Sequence, residues 1–289
     1  AVTDGRRVMK NVLFEQDDLS WGPNNTFQFP KQGGTGAIWK SVAAMIGDAH
    51  FRYHTAASAI DAKNRVVRAA DGREFGYDTL ITTLPVDTCT RLLSPADPAL
   101  RDLASRLKYS TSNIVGIGLK GQPAPELRTK CWMYFPESNC PFYRTTLFSN
   151  YSPNNVPDIR NTWSLMTETS ESPHKPVNQA TLVEDSIQGC LNTGLIKDRS
   201  EVISTWSYRA VHGYPTPSLD RDDILRTVLP GLEKLGIYSR GRFGAWKYEV
   251  SNQDHSLMQG VELVNYLVHG VPETTVFHPD VANAMWGRR

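Results

Sequence analysis

Apolar positions recur along this chain with two periods, and the switches between them outline its elements. After FQFPKQGGTGAIW, the run SVAAMIGDA completes a helical pattern at Ile38, Val42, Ala43 and Ile46. Short strands are expected around Ser58–Ile60 and Asn64–Arg68, and Asp71-Gly72 marks a turn ahead of a buried strand over Thr79–Leu84. Helices are expected over Val86–Leu93 and Pro98–Leu107. From Ser112 to about Thr169 the period changes: NIVGIGLKG, CWMYFP, YRTTLFSNY and TWSLMTETS are strand-length and rich in aromatic or β-branched residues. A helix over Gln179–Asn192 follows, then strand-like EVISTWSYRAV, then a helical segment over Asp220–Leu235 broken at Pro230. The last helix is expected over Asp254–His269, with Leu257, Val261, Val264 and Leu267 on one face. The first thirty residues are polar and turn-rich, with WGPNN at 21–25 as a tight loop. The pattern predicts a mixed α/β or α+β fold rather than an all-α or all-β one.

Composition narrows the class. At 289 residues the chain makes one large domain or two ordinary ones and can bury a core without disulfides or metals. A net charge of +1 argues against a dedicated nucleic-acid or membrane-surface protein. Cys89, Cys131, Cys140 and Cys190 form no CxxC pair and no metal-ligand spacing, so reduced thiols in a cytoplasmic protein are expected, with no metal. No apolar run reaches the ~18 residues of a membrane span.

Four motifs bear on chemistry. GGTG at 33–36 precedes a helix, where glycines let backbone N–H groups approach a phosphate, or simply permit a tight turn. CWMYFPESNCPFYR at 131–144 crowds Trp132, Tyr134, Phe142 and Tyr143 around Arg144: core packing, or a wall for a flat ring with an arginine fork for an anion. HGYPTP at 212–217 is a rigid loop carrying Tyr214. RGRFGAWKYEVSNQDHS at 240–256 sets Arg240, Arg242 and Lys247 ahead of the polar start of the last helix, which is N-cap chemistry and also a ready anion site. GxSxG and HExxH are absent, and the histidines fall in no triad order. The residues point to an anionic, ring-bearing ligand held by arginines and aromatics.

Taken together, WGPNNTFQFPKQGGTGAIW, KCWMYFPESNCPFYR, LFSNYSP, HGYPTP and SRGRFGAWKYEVSNQDHS resemble the eukaryotic, fungal-type UDP-galactopyranose mutases across nearly the whole chain. The resemblance implies part of a Rossmann-like FAD-binding flavoprotein of the amine-oxidase/mutase type. It implies the redox-neutral contraction of UDP-galactopyranose to UDP-galactofuranose, for cell-wall galactofuranose, through a flavin N5–sugar adduct. The FAD must be reduced, by a reductant such as NAD(P)H, and a homo-oligomer is possible. Carried over by motif, Arg144 and Arg242 clamp the diphosphate and are the catalytic candidates. Tyr134, Tyr214 and Tyr248 bring hydroxyls to it, Trp132 lines the substrate site, and Arg7, Asn24 and Asn252 lie near the substrate. On the cofactor side the resemblance implies Ala57, Arg242, Asn252, Gln253 and Ser256. It also implies three regions: 1–111 as the remainder of the FAD-binding domain with a helical insertion, 112–210 as a β-rich substrate-binding region, and 211–289 as a C-terminal segment contacting both ligands.

Departures from the family pattern shape two expectations. Ser251 stands where the family has glycine before Asn-Gln-Asp-His, and a positive φ there would be strained. The stretch between Ser152 and Trp163 is short. The family's N-terminal βαβ unit, with its GxGxxG and ribose-binding acid, is absent, so the chain is expected to be a C-terminal portion lacking the N-terminal FAD-binding unit, and its start at Ala1 rather than methionine points the same way. The alternatives are a catalytically inactive short paralogue binding a nucleotide-sugar or a protein, and another FAD-dependent, amine-oxidase-like oxidoreductase.

Overall fold

The computed structural model describes residues 4–16 and 27–286, the last two without their side chains. Along the chain lie α1 (Gly5–Leu13), α2 (Gly34–Ile46), β1 (Ala57–Asp61), β2 (Val66–Ala69), β3 (Glu74–Gly76), β4 (Leu80–Thr82), α3 (Val86–Leu92) and α4 (Pro98–Ser105). Then come β5 (Tyr109–Lys120), β6 (Trp132–Tyr134), β7 (Arg144–Leu147), β8 (Thr162–Glu171), α5 (Leu182–Asn192) and β9 (Val202–Pro215). Last are α6 (Arg221–Glu233), β10 (Ile237–Ser239), α7 (Gln253–His269) and α8 (Pro279–Trp286).

A five-stranded antiparallel sheet in the order β6-β7-β8-β5-β9 dominates the middle of the chain. Side chains alternate across its faces, and the register assigns them. One face carries Val115, Ile117, Leu119, Leu147 and Leu165, and packs with Leu182, Ile187 and Cys190 of α5 into a core. Each such aliphatic side chain, fully buried, contributes roughly 1.5–3 kcal/mol. The opposite face carries the cross-strand row Arg144, Glu168, Ile114 and Tyr208, and next to it Trp132, Thr146, Met166, Gly116 and Trp206. The apolar face builds the core and leaves the polar face available for a site.

A second core gathers Ile60, Val86, Cys89, Leu100, Val228, Leu232, Ile237 and Trp246, from segments on both sides of the large sheet in sequence. It joins β1-β2-β3, the parallel pair β10-β4, and helices α3, α4 and α6. Helix α6 lies close to α4 because Gly231 faces Leu100; a Cβ there would stand 2.6 Å from Leu100 Cδ2. Beneath β10, Arg240 is buried against Glu273, with Nε and Nη2 donating at 2.6 and 2.5 Å, and Nη2 also reaches Glu233 at 2.9 Å. The residue boundaries 111/112 and 210/211 fall inside β5 and β9, which run unbroken through them.

Several elements differ from the pattern's prediction. Helix α6 continues through Pro230, whose carbonyl still accepts from Lys234. The roughly 3 kcal/mol cost of an interior proline is offset by burying Leu225, Val228, Leu229 and Leu232 on that helix. HGYP is not a loop: β9 runs on to Pro215, paired with Tyr109 and Ser110 through a bulge. FSN at 148–150 is a 3-10 turn rather than strand. Strand β4 is shorter than Thr79–Leu84 and leaves Ile81 46% exposed. Helix α5 starts at Leu182. The apolar stripes of α2 and α7 are exposed, with Leu257, Val261, Val264 and Leu267 outward. Helix α7 instead buries His255, Gln259 and Leu263, because Gln259 accepts from Gly241 N–H and donates to Val250 C=O. Periodicity reveals an amphipathic helix, but a polar anchor chose its packed side.

Candidate active site

The polar face of the large sheet brings Arg144 and Tyr134 together directly, since the two residues are register partners across β6 and β7. Across the next strand stands Glu168, also Arg144's register partner. Arg144 donates from Nε and Nη2 to the two Glu168 oxygens, both at 2.8 Å, a bidentate fork. Tyr143 donates its hydroxyl to the same carboxylate at 2.9 Å. The Glu168 side chain is 8% exposed and that of Arg144 21%. Burial by itself lowers the basicity of Arg144, but the Glu168 carboxylate outweighs it and holds the guanidinium charged. Burial first, then Glu168, pushes the Tyr143 phenol up, so it stays a donor.

Tyr214 joins this cluster to a second arginine. Its hydroxyl accepts from Arg144 Nη2 at 3.2 Å, while its ring lies 4.5 Å beneath the Arg242 guanidinium carbon. Arg242 Nε and Nη2 both donate to Gly213 C=O at 3.2 Å, and Nη1 donates to Ser251 C=O at 3.0 Å and Ser251 Oγ at 3.1 Å. The hydrogen-bond partners of Arg242 are thus neutral oxygens. Arg144 has its charge cancelled by Glu168; Arg242 keeps its own, half-buried between a peptide turn and an aromatic face. Tyr248, 52% exposed, sits with its ring 6.0 Å from that of Tyr214.

Trp132 borders the cluster, 6.0 Å from the Arg144 guanidinium, with Phe27 stacked on it at 5.3 Å. Tyr151 closes that edge against Phe27 and Phe29. The structure therefore places Trp132, Tyr134, Arg144, Tyr214, Arg242 and Tyr248 in one neighbourhood. Asn252 is at its margin, as the exposed N-cap of α7, and its side chain makes no capping bond. Gln253 Oε1 accepts from Trp39 Nε1 at 3.0 Å, tying the start of α7 to α2. The Ser256 N–H bonds to Asn252 C=O as α7 closes its first turn, which leaves its hydroxyl as the group that could face a ligand. Arg7 is on α1 and Ala57 on β1, paired with Ala69 of the small sheet. Asn24 and the WGPNN loop lie outside the described residues.

Ser251 also differs from expectation. Its φ is −116°, on the negative side open to any L residue, so no left-handed strain arises. Tyr143 was named among the aromatics around Arg144, but Glu168 and the Gly213 carbonyl were not singled out by the sequence. Glu168 could have been found only through the β7–β8 register, which sequence spacing does not carry. GGTG does open a helix, with Gly33 and Gly34 at φ 75° and 61°. Among the described residues no group of three His, Cys, Asp or Glu could hold a metal, and no helix is long and apolar enough to cross a membrane.

With that geometry in view, comparison with known proteins is decisive for the family. The model of the family "flavin containing amine oxidoreductase" matches residues 9–236. The chain belongs to this family. Within it, the chain is similar to a solved structure of reduced UDP-galactopyranose mutase at 45% identity and a TM-score of 0.91, over 98% of this chain and 61% of that one. The chain thus spans about three fifths of the mutase that it matches. Two further solved structures share its fold alone. An Exiguobacterium protein described as a protoporphyrinogen oxidase matches at 15% identity, with a TM-score of 0.64 over 81% of this chain and 51% of that one. A fatty acid isomerase from P. acnes that produces CLA matches at 14% identity, with a TM-score of 0.58 over 81% and 52%. The motifs lead one to expect a chain lacking the family's N-terminal FAD-binding unit. The match from residue 9 to residue 236 corrects this: it covers nearly the whole chain and does not show an FAD-binding region to be missing. One phosphate-binding fingerprint is a local feature, whereas the family is matched along its successive elements.

Proposed function

We propose that this chain acts in the redox-neutral conversion of UDP-galactopyranose to UDP-galactofuranose, with Arg144 and Arg242 as the diphosphate clamp. One observation carries the reading. Arg242 holds an uncancelled charge among neutral oxygens and shares Tyr214 with Arg144, an arrangement suited to an anion with two bridged phosphate groups. The similarity to the reduced mutase supports the choice of substrate. Tyr134, Tyr214 and Tyr248 supply neutral donors around the anion, and Trp132 an apolar wall.

FAD in its reduced form is the proposed cofactor, kept reduced by a donor such as NAD(P)H in the cytoplasm. The residues present fit an electron-rich ring edge: the positive end of the 17-residue α7 carries no side-chain cap, and Arg242 bonds to Ser251 just ahead of it. Arg242, Asn252 and the Ser256 hydroxyl would hold that edge. When bound, the reduced flavin supplies the nucleophile for the anomeric carbon. The arginines neutralise the charge that develops on the departing UDP and keep it oriented for return. Removing one such donor costs about 10²–10³ in rate.

The test is binding first, then turnover. Calorimetric titration should give UDP a far higher affinity than uridine, and Arg242→Ala should remove the difference. Chromatography of UDP-galactofuranose incubated with chain, FAD and dithionite should then show UDP-galactopyranose. Equal affinity for UDP and uridine would remove the diphosphate clamp and, with it, this function.

A further inference from the structure

We infer that Ser251 is a positioning residue, whose hydroxyl fixes the Arg242 fork in the orientation that receives the anion; the inference rests on the diphosphate reading above. The guanidinium has five N–H groups. Two of them, from Nε and Nη2, converge on the Gly213 carbonyl at 3.2 Å, a long bond at each. Both hydrogens of Nη1 go to Ser251, one to its carbonyl at 3.0 Å and one to its Oγ at 3.1 Å. The remaining Nη2 hydrogen has no partner among the described residues, and it is the one an arriving phosphate oxygen would take.

The orientation of that hydrogen depends on what stops the fork turning. Gly213 and Ser251 belong to different segments, the end of β9 and the turn ahead of α7, so the side chain is held from two sides. The Ser251 hydroxyl cannot reverse its role. Its own hydrogen is donated to the Tyr248 carbonyl at 2.9 Å, which leaves a lone pair for Arg242. Ser251 is 4% exposed, so bulk water does not compete readily for the bond. The same hydroxyl therefore links Arg242 to the backbone of Tyr248, another residue of the cluster. A glycine here leaves the carbonyl contact but removes the hydroxyl; the serine supplies a second stop.

The backbone permits a clean substitution, since φ at Ser251 is −116° and alanine adopts that value without strain. Ser251→Ala should weaken UDP binding about tenfold, the scale of one hydrogen bond to a charged group, and leave uridine binding unchanged. Ser251→Thr should restore UDP binding. A purely structural role predicts equal loss for UDP and uridine, so equal loss overturns the inference. In an Arg242→Ala background, Ser251→Ala should have no further effect on UDP; an undiminished effect there also overturns it. A readout without ligand separates this inference from the function on which it rests. In nitrogen-15 spectra of the full chain, the Arg242 Nη1 and Nη2 hydrogens should be resolved by slow rotation and should average in Ser251→Ala. If wild type fails to distinguish UDP from uridine, the diphosphate reading falls and these spectra decide the positioning alone. Spectra identical in the two proteins overturn it.

Discussion

Replacing Glu168 by glutamine tests whether the two arginines differ as described. The carboxylate accepts three hydrogen bonds, two from Arg144 and one from Tyr143, and lies 8% exposed. The amide keeps the shape and one acceptor oxygen, but it turns an NH2 toward groups that themselves donate. It also leaves a guanidinium only 21% exposed without its counter-charge. Breaking one partner of such a buried pair costs about 3–5 kcal/mol, and the retained oxygen places the Gln variant near about 3 kcal/mol. For a chain of this size that lowers Tm by about 5 °C. Thermal and urea unfolding of wild type and Glu168→Gln, followed by circular dichroism, measure it. A variant within about 0.5 kcal/mol of wild type, the range of an ordinary surface substitution, would mean that Glu168 does not neutralise Arg144. The contrast with Arg242 would then collapse.

Two further predictions concern protonation. Glu171 is held below its ordinary value, first by its hydrogen bond from Arg209. A depressed carboxyl contributes stability that is present in full above its unfolded pKa, about 4.5, and is lost as pH falls through the folded value. Glu171→Gln should therefore flatten the acid limb of a Tm-against-pH curve below that point, and an unchanged limb would contradict the pairing. Burial pushes the thiols of Cys89 and Cys190 up to about 12. Iodoacetamide at about pH 8 should label Cys131 and Cys140 in the folded chain well before those two, as read by peptide mass spectrometry. Comparable labelling of all four would place Cys89 and Cys190 nearer solvent.

Most elements were legible because their signals are local. NIVGIGLKG and TWSLMTETS read as strands from composition, and both are, as β5 and β8. The aromatic and arginine-rich motifs also named residues that the fold brings together, since Arg144, Tyr214 and Arg242 sit in compact, unusual stretches. The misses share a different cause. Glu168 looks like any polar residue of a strand until register sets it beside Arg144. The exposed stripe of α7 has the periodicity of a core face, yet the buried side was chosen by Gln259, a polar residue whose two hydrogen bonds reach Gly241 and Val250, 18 and 9 residues away. Pro230 marks a break by propensity, and the burial of its neighbours overrules it. Spacing records what a segment prefers alone; it does not record what lies across from it.

The bulge in β9 has a consequence for how this protein can change length. Between Ala210, opposite Ser112, and Tyr214, opposite Ser110, β9 advances four positions while β5 advances two. The surplus is even, so Tyr214 returns to the side of the sheet from which the strand departed. The slack is occupied: Val211 C=O accepts from Thr111 Oγ1 at 2.8 Å, and Gly213 C=O takes the Arg242 fork. Strand parity makes this segment behave like a reading frame. Gain or loss of two residues would resize the bulge and keep the Tyr214 ring between the arginines. Gain or loss of one would turn that ring toward the α5 side and part the two cations, with every other residue of the site still in place.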